Sequence, residues 1–230
     1  MNIDAKFAQS CRPKQGTINH AVAASVNVHR HPLLGNSQSP AYVSSIDRAE
    51  PGSSQSIRQP RGRDGYVLYL DFDGVLHHEN CLWHPKLGPY LGAPPRYSLF
   101  QHAELLVQLL EPYPQVKIVL STTWIRRYGV ATSTKRLPEA LQKRVIGGTF
   151  HSRHMREDEF QYLLRGEQVF ADVQRRQPRD WLALDDDYEG WPKTQLHRWV
   201  QTDPYEGISD PAVLANLKEK LEALCKPKTP

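Results

Sequence analysis

Cysteine is scarce, with Cys11, Cys81 and Cys225 the whole complement of a 230-residue chain. An odd and widely spaced set builds no disulfide framework and fits a reducing cytoplasm. Long apolar runs are missing as well, since no stretch approaches the ~20 residues that a membrane-spanning helix needs, and this argues against a membrane partner. The apolar residues 21–28 are too few and too polar at their flanks for a secretory signal, and Asp4 with late arginines makes a poor transit peptide. Soft metal ligands are few. Cys81 with His84 and the pair His77 and His78 share one loop, but their spacing does not match a zinc site, and ordinary structural side chains are the simpler reading.

Residues 1–63 lack a sustained helical or strand period and hold few aromatics, while Ser, Gln, Asn, Pro and His are frequent. Such a segment cannot bury enough apolar surface to offset its ordering entropy, so a disordered basic tail is expected there, followed by a folded domain over residues 64–230. The tail carries eight Lys and Arg against three Asp and Glu, whereas the remainder has 21 against 22, so the net charge of +4 belongs to the tail. A basic folded surface would have pointed to nucleic acid through phosphate neutralisation, and residues 64–230 give no such bulk signal. A basic tail adds a weak, salt-sensitive attraction to RNA or DNA at most; an uninvolved extension is the simpler reading, and a misplaced start codon is a third.

What the chain does have is an alternation of apolar runs with amphipathic stretches. YVLYL at residues 66–70 ends abruptly in Asp71, Phe72, Asp73 and Gly74. Residues i and i+2 of extended chain share a face, so Asp71 and Asp73 can converge on one ligand, and Gly74 lets the backbone turn away. Taken alone, an ordinary surface turn reads the same way. Residues 77–98, dense in Pro, Gly and aromatics, predict a loop or short hairpin. Ala103, Leu106, Val107 and Leu110 recur at helical spacing and predict a helix over 99–110, stopped by Pro112 and Pro114. VKIVL at 116–120 reads as a strand buried on both faces. A helical stretch at 137–143, a short strand at 144–147, a helix at 155–164, the run WLALDDD at 181–187, a weaker strand at 197–202 and a closing helix through Leu214, Leu217, Leu221 and Leu224 complete the pattern. Strands alternating with helices predict an α/β fold built on a doubly wound, five-stranded parallel sheet.

Three strand ends then share one edge of that sheet, where open α/β folds bind ligands: Asp71 and Asp73, Ser121, and Asp185 to Asp187. Carboxylates gathered there repel one another by about 4 kcal/mol per pair at roughly 4 Å and an effective dielectric near 20, so bringing them together needs a compensating cation. Hard oxygen ligands favour Mg²⁺.

DFDGV, IVLST and ALDDD, in that order and each closing an apolar run, resemble the first, second and fourth motifs of the haloacid dehalogenase (HAD) superfamily of phosphohydrolases, over residues 66–202. VLSTTW, VIGGTF, REDEFQYLL, WLALDDD and TDPYEGIS resemble more narrowly the HAD domain of Swiss Army Knife RNA repair proteins. The resemblance implies a HAD-like Rossmannoid fold with Mg²⁺ as cofactor. It implies Asp71 as the nucleophile forming an aspartyl-phosphate, and Asp73 as general acid and then base. Ser121 would donate to the phosphoryl oxygens, with Thr122 and Gly74 beside it in substrate binding. Asp71, Asp185, Asp186 and the backbone carbonyl of Asp73 would form the metal shell.

The family's third motif usually supplies a Lys, and none lies between Lys143 and Asp185. Arg156 best matches that place and Arg153 comes second; an arginine supplies the charge and a bidentate grip on phosphate. Many family members carry a cap domain, but here only residues 77–98 stand at the first insertion point and 147–153 at the second. A capless or minimally capped enzyme is therefore expected, its open site suited to a bulky phosphorylated substrate such as a nucleic-acid end or a nucleotide, or to a cap supplied by a partner protein. Trp83 and His84, with Tyr90 and Tyr97, would stack a base or simply pack. Two functional classes follow: a Mg²⁺-dependent phosphatase, favoured because every acidic position is present, and a catalytically idle binding or regulatory module on the same fold.

Overall fold

A computed structural model describes residues 9–10, 59–152 and 155–226. A two-residue strand, β1 (Gln9–Ser10), lies antiparallel to β3 (Cys81–His84), and β3 forms a hairpin with β4 (Gly88–Leu91). The main sheet holds β2 (Tyr66–Leu70), β5 (Val116–Leu120), β6 (Val145–Gly148), β7 (Asp180–Asp185) and β8 (Trp199–Gln201). All five run parallel, in the spatial order β6-β5-β2-β7-β8. This is the five-stranded parallel sheet expected from the sequence.

The central strands are apolar on both faces because both faces are covered. Leu68, Leu70, Ile118, Leu120, Leu182 and Leu184 point to one side. There they meet Leu106 and Leu110 of α1 (Ala103–Leu110), Trp124 and Ile125 of α2 (Trp124–Thr134), Leu141 of α3 (Glu139–Gln142), and Leu217, Leu221 and Leu224 of α6 (Pro211–Cys225). Val67, Tyr69, Val119, Trp181 and Ala183 alternate to the other side. After the short α4 (Glu157–Tyr162), that side is covered by Val169 of α5 (Arg165–Arg176) and by Trp191, which stacks on Trp199 with ring centroids 5.2 Å apart.

The second face is the smaller and more polar one. Asp172 of α5 is buried there and accepts hydrogen bonds from the Tyr69 hydroxyl (3.2 Å), Arg176 Nε (2.5 Å) and Arg175 Nε (3.1 Å). Burial, reinforced by the Asp172 charge, pushes the Tyr69 hydroxyl well above its ordinary value. Burial also works against the charge on Asp172, but the His151 ring and the guanidinium groups of Arg176 and Arg175 hold its carboxyl below the usual range.

Several elements differ from the sequence reading. The helix expected over 99–110 begins at Ala103. Two helices were not anticipated, α2 and α5. In α2 the period is interrupted at Gly129 (φ 76°, ψ 161°), which splits the element into two short helical pieces. The expected helix over 155–164 is α4 alone; the chain is extended at Leu163 and Leu164 before α5 starts. Residues 77–98 do contain a hairpin. Most of the expected tail lies outside the described residues, although the carbonyl of Arg61 accepts a hydrogen bond from Arg176 Nη1 at 2.7 Å. Among the described residues no helix is long and apolar enough to cross a membrane, and Cys81 and Cys225 are free thiols.

Candidate active site

The register of the sheet builds the site. Leu70 stands opposite both Leu120 and Leu184, so the next residues, Asp71, Ser121 and Asp185, leave three adjacent strands at one level. Backbone bonds continue past the strand ends, from Asp71 N to Leu184 O (3.1 Å) and from Ser121 N to Leu70 O (2.9 Å). This edge is the carboxyl end of the sheet, at the reversal of strand order between β2 and β7. All three residues are buried.

Carboxylate oxygens of Asp71, Asp185 and Asp186 lie within 4.8 Å of one another, a hard-oxygen cluster of the kind that holds a divalent ion. Gly74 makes room for the third of them. It adopts φ +70°, and a Cβ at that position would stand 2.4 Å from Asp186 Cγ. Thr202 Oγ1 donates to the carbonyl of Gly74 at 2.6 Å, tying the turn after β2 to the end of β8. Asp187 turns elsewhere: its Oδ1 accepts from the backbone of Glu189 at 2.9 Å.

The cation of the site is Arg165, the first residue of α5, which sequence reasoning missed. Its Nη2 lies 3.3 Å from Asp71 Oδ2 and its Nε 3.2 Å from Asp185 Oδ2, while Nη1 donates to the backbone carbonyl of Ser121. The guanidinium is thus clamped across all three strand ends, with its side chain 8% exposed. Backbone contact fixes it there. Gly166 N donates to Glu189 O at 2.9 Å, and a Cβ on Gly166 would stand 2.4 Å from the backbone of Gly190 and Trp191, so no larger residue fits between α5 and the segment after β7.

Arg156, the sequence choice for this role, stands on the surface. Its side chain is 73% exposed and pairs with Asp158 (2.7 Å) and Glu159 (3.8 Å) on its own helix. Arg153 lies outside the described residues. The correction has a simple cause: the segment read as one helix is two, and the inward cation belongs to the second. A signal was present in Arg165, Val169, Asp172 and Arg176, whose spacing is helical although three of the four are charged.

Ser121 Oγ is buried with no hydrogen-bond partner among the described residues. Buried hydroxyls are ordinarily bonded, so this one is a donor available to a ligand beside the acids. Thr122 is buried too, but its Oγ1 accepts from the backbone N–H of Trp124, the first residue of α2, at 3.3 Å. Trp83 lies under the Arg127 guanidinium, 4.3 Å from the ring centroid, and His84 Nδ1 accepts from Lys86 N at 3.2 Å. The contacts of these two are to α2 and to the hairpin, rather than to the acids.

The Asp73 carboxylate takes a direction of its own. It is buried (1% exposed) and faces His77 and Trp124, not the cluster of Asp71, Asp185 and Asp186. Its carboxylate is not one of the three whose oxygens converge within 4.8 Å.

Searches of curated proteins and of solved structures returned no match. A family model does match: residues 67–213, which contain every residue of the sheet-edge cluster, fit the HAD domain in Swiss Army Knife RNA repair proteins, and the chain belongs to that family.

Proposed function

We propose that the chain is a Mg²⁺-dependent phosphatase that hydrolyses a phosphomonoester through an aspartyl-phosphate on Asp71. The observation that carries this reading is the meeting of three buried carboxylates, one buried guanidinium and one unpartnered buried hydroxyl at a single sheet edge. The donor set fits Mg²⁺: Asp71, Asp185 and Asp186 supply oxygen ligands, with no sulfur or imidazole among them. Bound there, the ion would neutralise phosphoryl charge and keep Asp71 ionised.

The residues divide the work. Arg165 and Ser121 Oγ hold the phosphoryl oxygens, the first by charge-assisted N–H donors and the second by its O–H. An Asp71 carboxylate oxygen attacks phosphorus, a new O–P bond forms, and the bond to the leaving oxygen breaks as Asp73 delivers a proton to that oxygen. Asp73, now ionised, takes a proton from water as the water oxygen attacks phosphorus. The O–P bond to Asp71 breaks, which releases inorganic phosphate and restores both carboxyl groups to their starting states.

The substrate we favour is a nucleic-acid end or a nucleotide. The described segments between β2 and α1 and between β6 and α4 hold a hairpin and a short loop rather than an inserted domain, so the sheet edge is open to a large phosphate ester or to a partner protein acting as a cap. Tyr188, 70% exposed, follows β7, the strand that carries Asp185, and offers a ring face near that edge. The free thiols of Cys81 and Cys225 accord with a cytoplasmic setting.

The test is hydrolysis of an aryl phosphate by the full chain with Mg²⁺. Asp71→Asn is expected to abolish turnover. Equal activity in variant and parent would sink the assignment, and an inactive parent that also fails to bind beryllofluoride under saturating Mg²⁺ would return the chain to the idle-module class.

A further inference from the structure

Beside β6, the outermost strand of the sheet, lies a cavity of about 800 Å³ that the phosphoryl site does not use. Four arginines from three segments line it: Arg61 before β2, Arg126 in the first turn of α2, and Arg175 and Arg176 in the last turn of α5. Glu157 lines it too, and Asp172 is buried behind Arg175 and Arg176, so four guanidinium groups against two carboxylates leave a formal charge of +2. Val130, Ile146 and Phe150 add apolar wall. The cavity is a separate place from the acids. Helix α5 begins with Arg165 and reaches Arg175 ten residues on, so at a rise of 1.5 Å per residue the two positions stand about 15 Å apart.

The fold does not use up these guanidinium donors. Arg126 Nε is buried without a hydrogen-bond partner among the described residues, while Nη2 of the same group reaches Gln161 (3.2 Å) and Glu157 (3.5 Å). Buried N–H groups are ordinarily bonded, so this one is a donor available to a ligand. Arg175 is 30% exposed and uses Nε and Nη2 on Asp172 and His151, which leaves Nη1 for another acceptor. Guanidinium forks held in place by a buried carboxylate match the oxygens of a phosphate two at a time. A bare anion would fill little of the space, whose volume is that of a small-molecule site. Phe150, packed on Phe160 with ring centroids 5.1 Å apart, gives the flat body of such a ligand an aromatic neighbour.

We propose that this cavity is a second binding site, for a nucleoside phosphate, either free or as one unit of a single strand. The guanidinium groups of Arg126 and Arg175 hold the phosphate, and Phe150, Ile146 and Val130 receive the base. The site stands whether or not the phosphatase reading does, because it needs neither the acids of the sheet edge nor turnover.

The experiment is titration calorimetry on the full chain without Mg²⁺, a condition in which the carboxylates at the sheet edge repel phosphate. The probes are a nucleoside monophosphate, a short single-stranded oligonucleotide without a terminal phosphate, inorganic phosphate and an oligoglutamate peptide. A monophosphate that binds at least as well as the oligonucleotide identifies a free nucleotide as the ligand, and a tighter oligonucleotide identifies a strand. Arg126→Gln is expected to weaken the tighter of these two by about tenfold, the size of one lost hydrogen bond to a charged group. Arg156→Gln removes an exposed charge outside the cavity and is expected to change binding by less than about twofold. This comparison also separates the cavity from any attraction by the basic N-terminal residues, which both variants keep. No binding of either nucleotide probe, inorganic phosphate or oligoglutamate binding as tightly as they do, or a loss in Arg126→Gln no greater than in Arg156→Gln overturns the proposal. A second readout needs no variant. In a methyl spectrum of the parent chain, saturating nucleotide is expected to move the Ile146 and Val130 signals, and unmoved signals also overturn the site. A chain that binds nucleotide here but hydrolyses no phosphomonoester defeats the phosphatase reading alone.

Discussion

The helices α6 and α5 cover opposite faces of the same sheet with opposite chemistry. Leu217, Leu221 and Leu224 of α6 are buried aliphatics, whereas α5 buries Arg165, Val169, Asp172 and Arg176. Aliphatic packing is non-directional, and it serves a helix whose exact rotation matters little to the site. Buried ion pairs cost desolvation but are directional, and they tolerate few arrangements. On α5 the ion pairs anchor both ends of the helix: Asp172 with Arg175 and Arg176 at one, Arg165 with Asp71 and Asp185 at the other. The face with the weaker apolar core is the one that brings a cation to Asp71 and Asp185.

That contrast can be broken at its strongest point first. Asp172→Ala would leave the Arg176 charge without its paired carboxylate and the Tyr69 hydroxyl buried without that acceptor, and a loss of about 4 kcal/mol is expected from the behaviour of buried pairs that lose one partner. Leu221→Ala on the opposite face should cost about 3 kcal/mol through its cavity. Urea unfolding of both variants checks the order; an Asp172→Ala cost well below that of Leu221→Ala would show that the charged face contributes little. Next in size, Arg165→Met is expected to lower turnover by about 10²–10³-fold, as for loss of a donor that stabilises developing charge. An unchanged rate would remove Arg165 from the site.

The smallest effect is in pH. The carboxyl of Asp172 sits below its ordinary value in the folded protein, so its contribution is complete above the unfolded-state value of about 3.9 and is lost as pH falls through the folded one. The stability gap between parent and Asp172→Ala should therefore narrow below about pH 4, and a gap constant from pH 7 to 3 would contradict the pairing.

The same contrast governs what could be read from sequence. The strands β2, β5 and β7 were legible because burial on both faces demands unbroken apolar runs, and their ends named Asp71, Ser121, Asp185 and Asp186 without any knowledge of the helices. The helix α6 was legible from its leucines. The helix α5 was not, because the residues that face the sheet are mostly charged and mimic a solvated surface, and so Arg165 was sought one helix too early. The α2 period is broken at Gly129, and its Trp124 gave no hint of Asp73 as a partner, since the two are 51 residues apart in the chain.

The clamp of Arg165 has a consequence in charge counting. Three carboxylates and one guanidinium leave the cluster with a formal charge of −2, a deficit that a divalent cation balances and a monovalent one does not. Had the first residue of α5 been neutral, the same acids would stand at −3. By docking against the segment after β7 with Gly166, the helix thus sets how much negative charge the sheet edge holds.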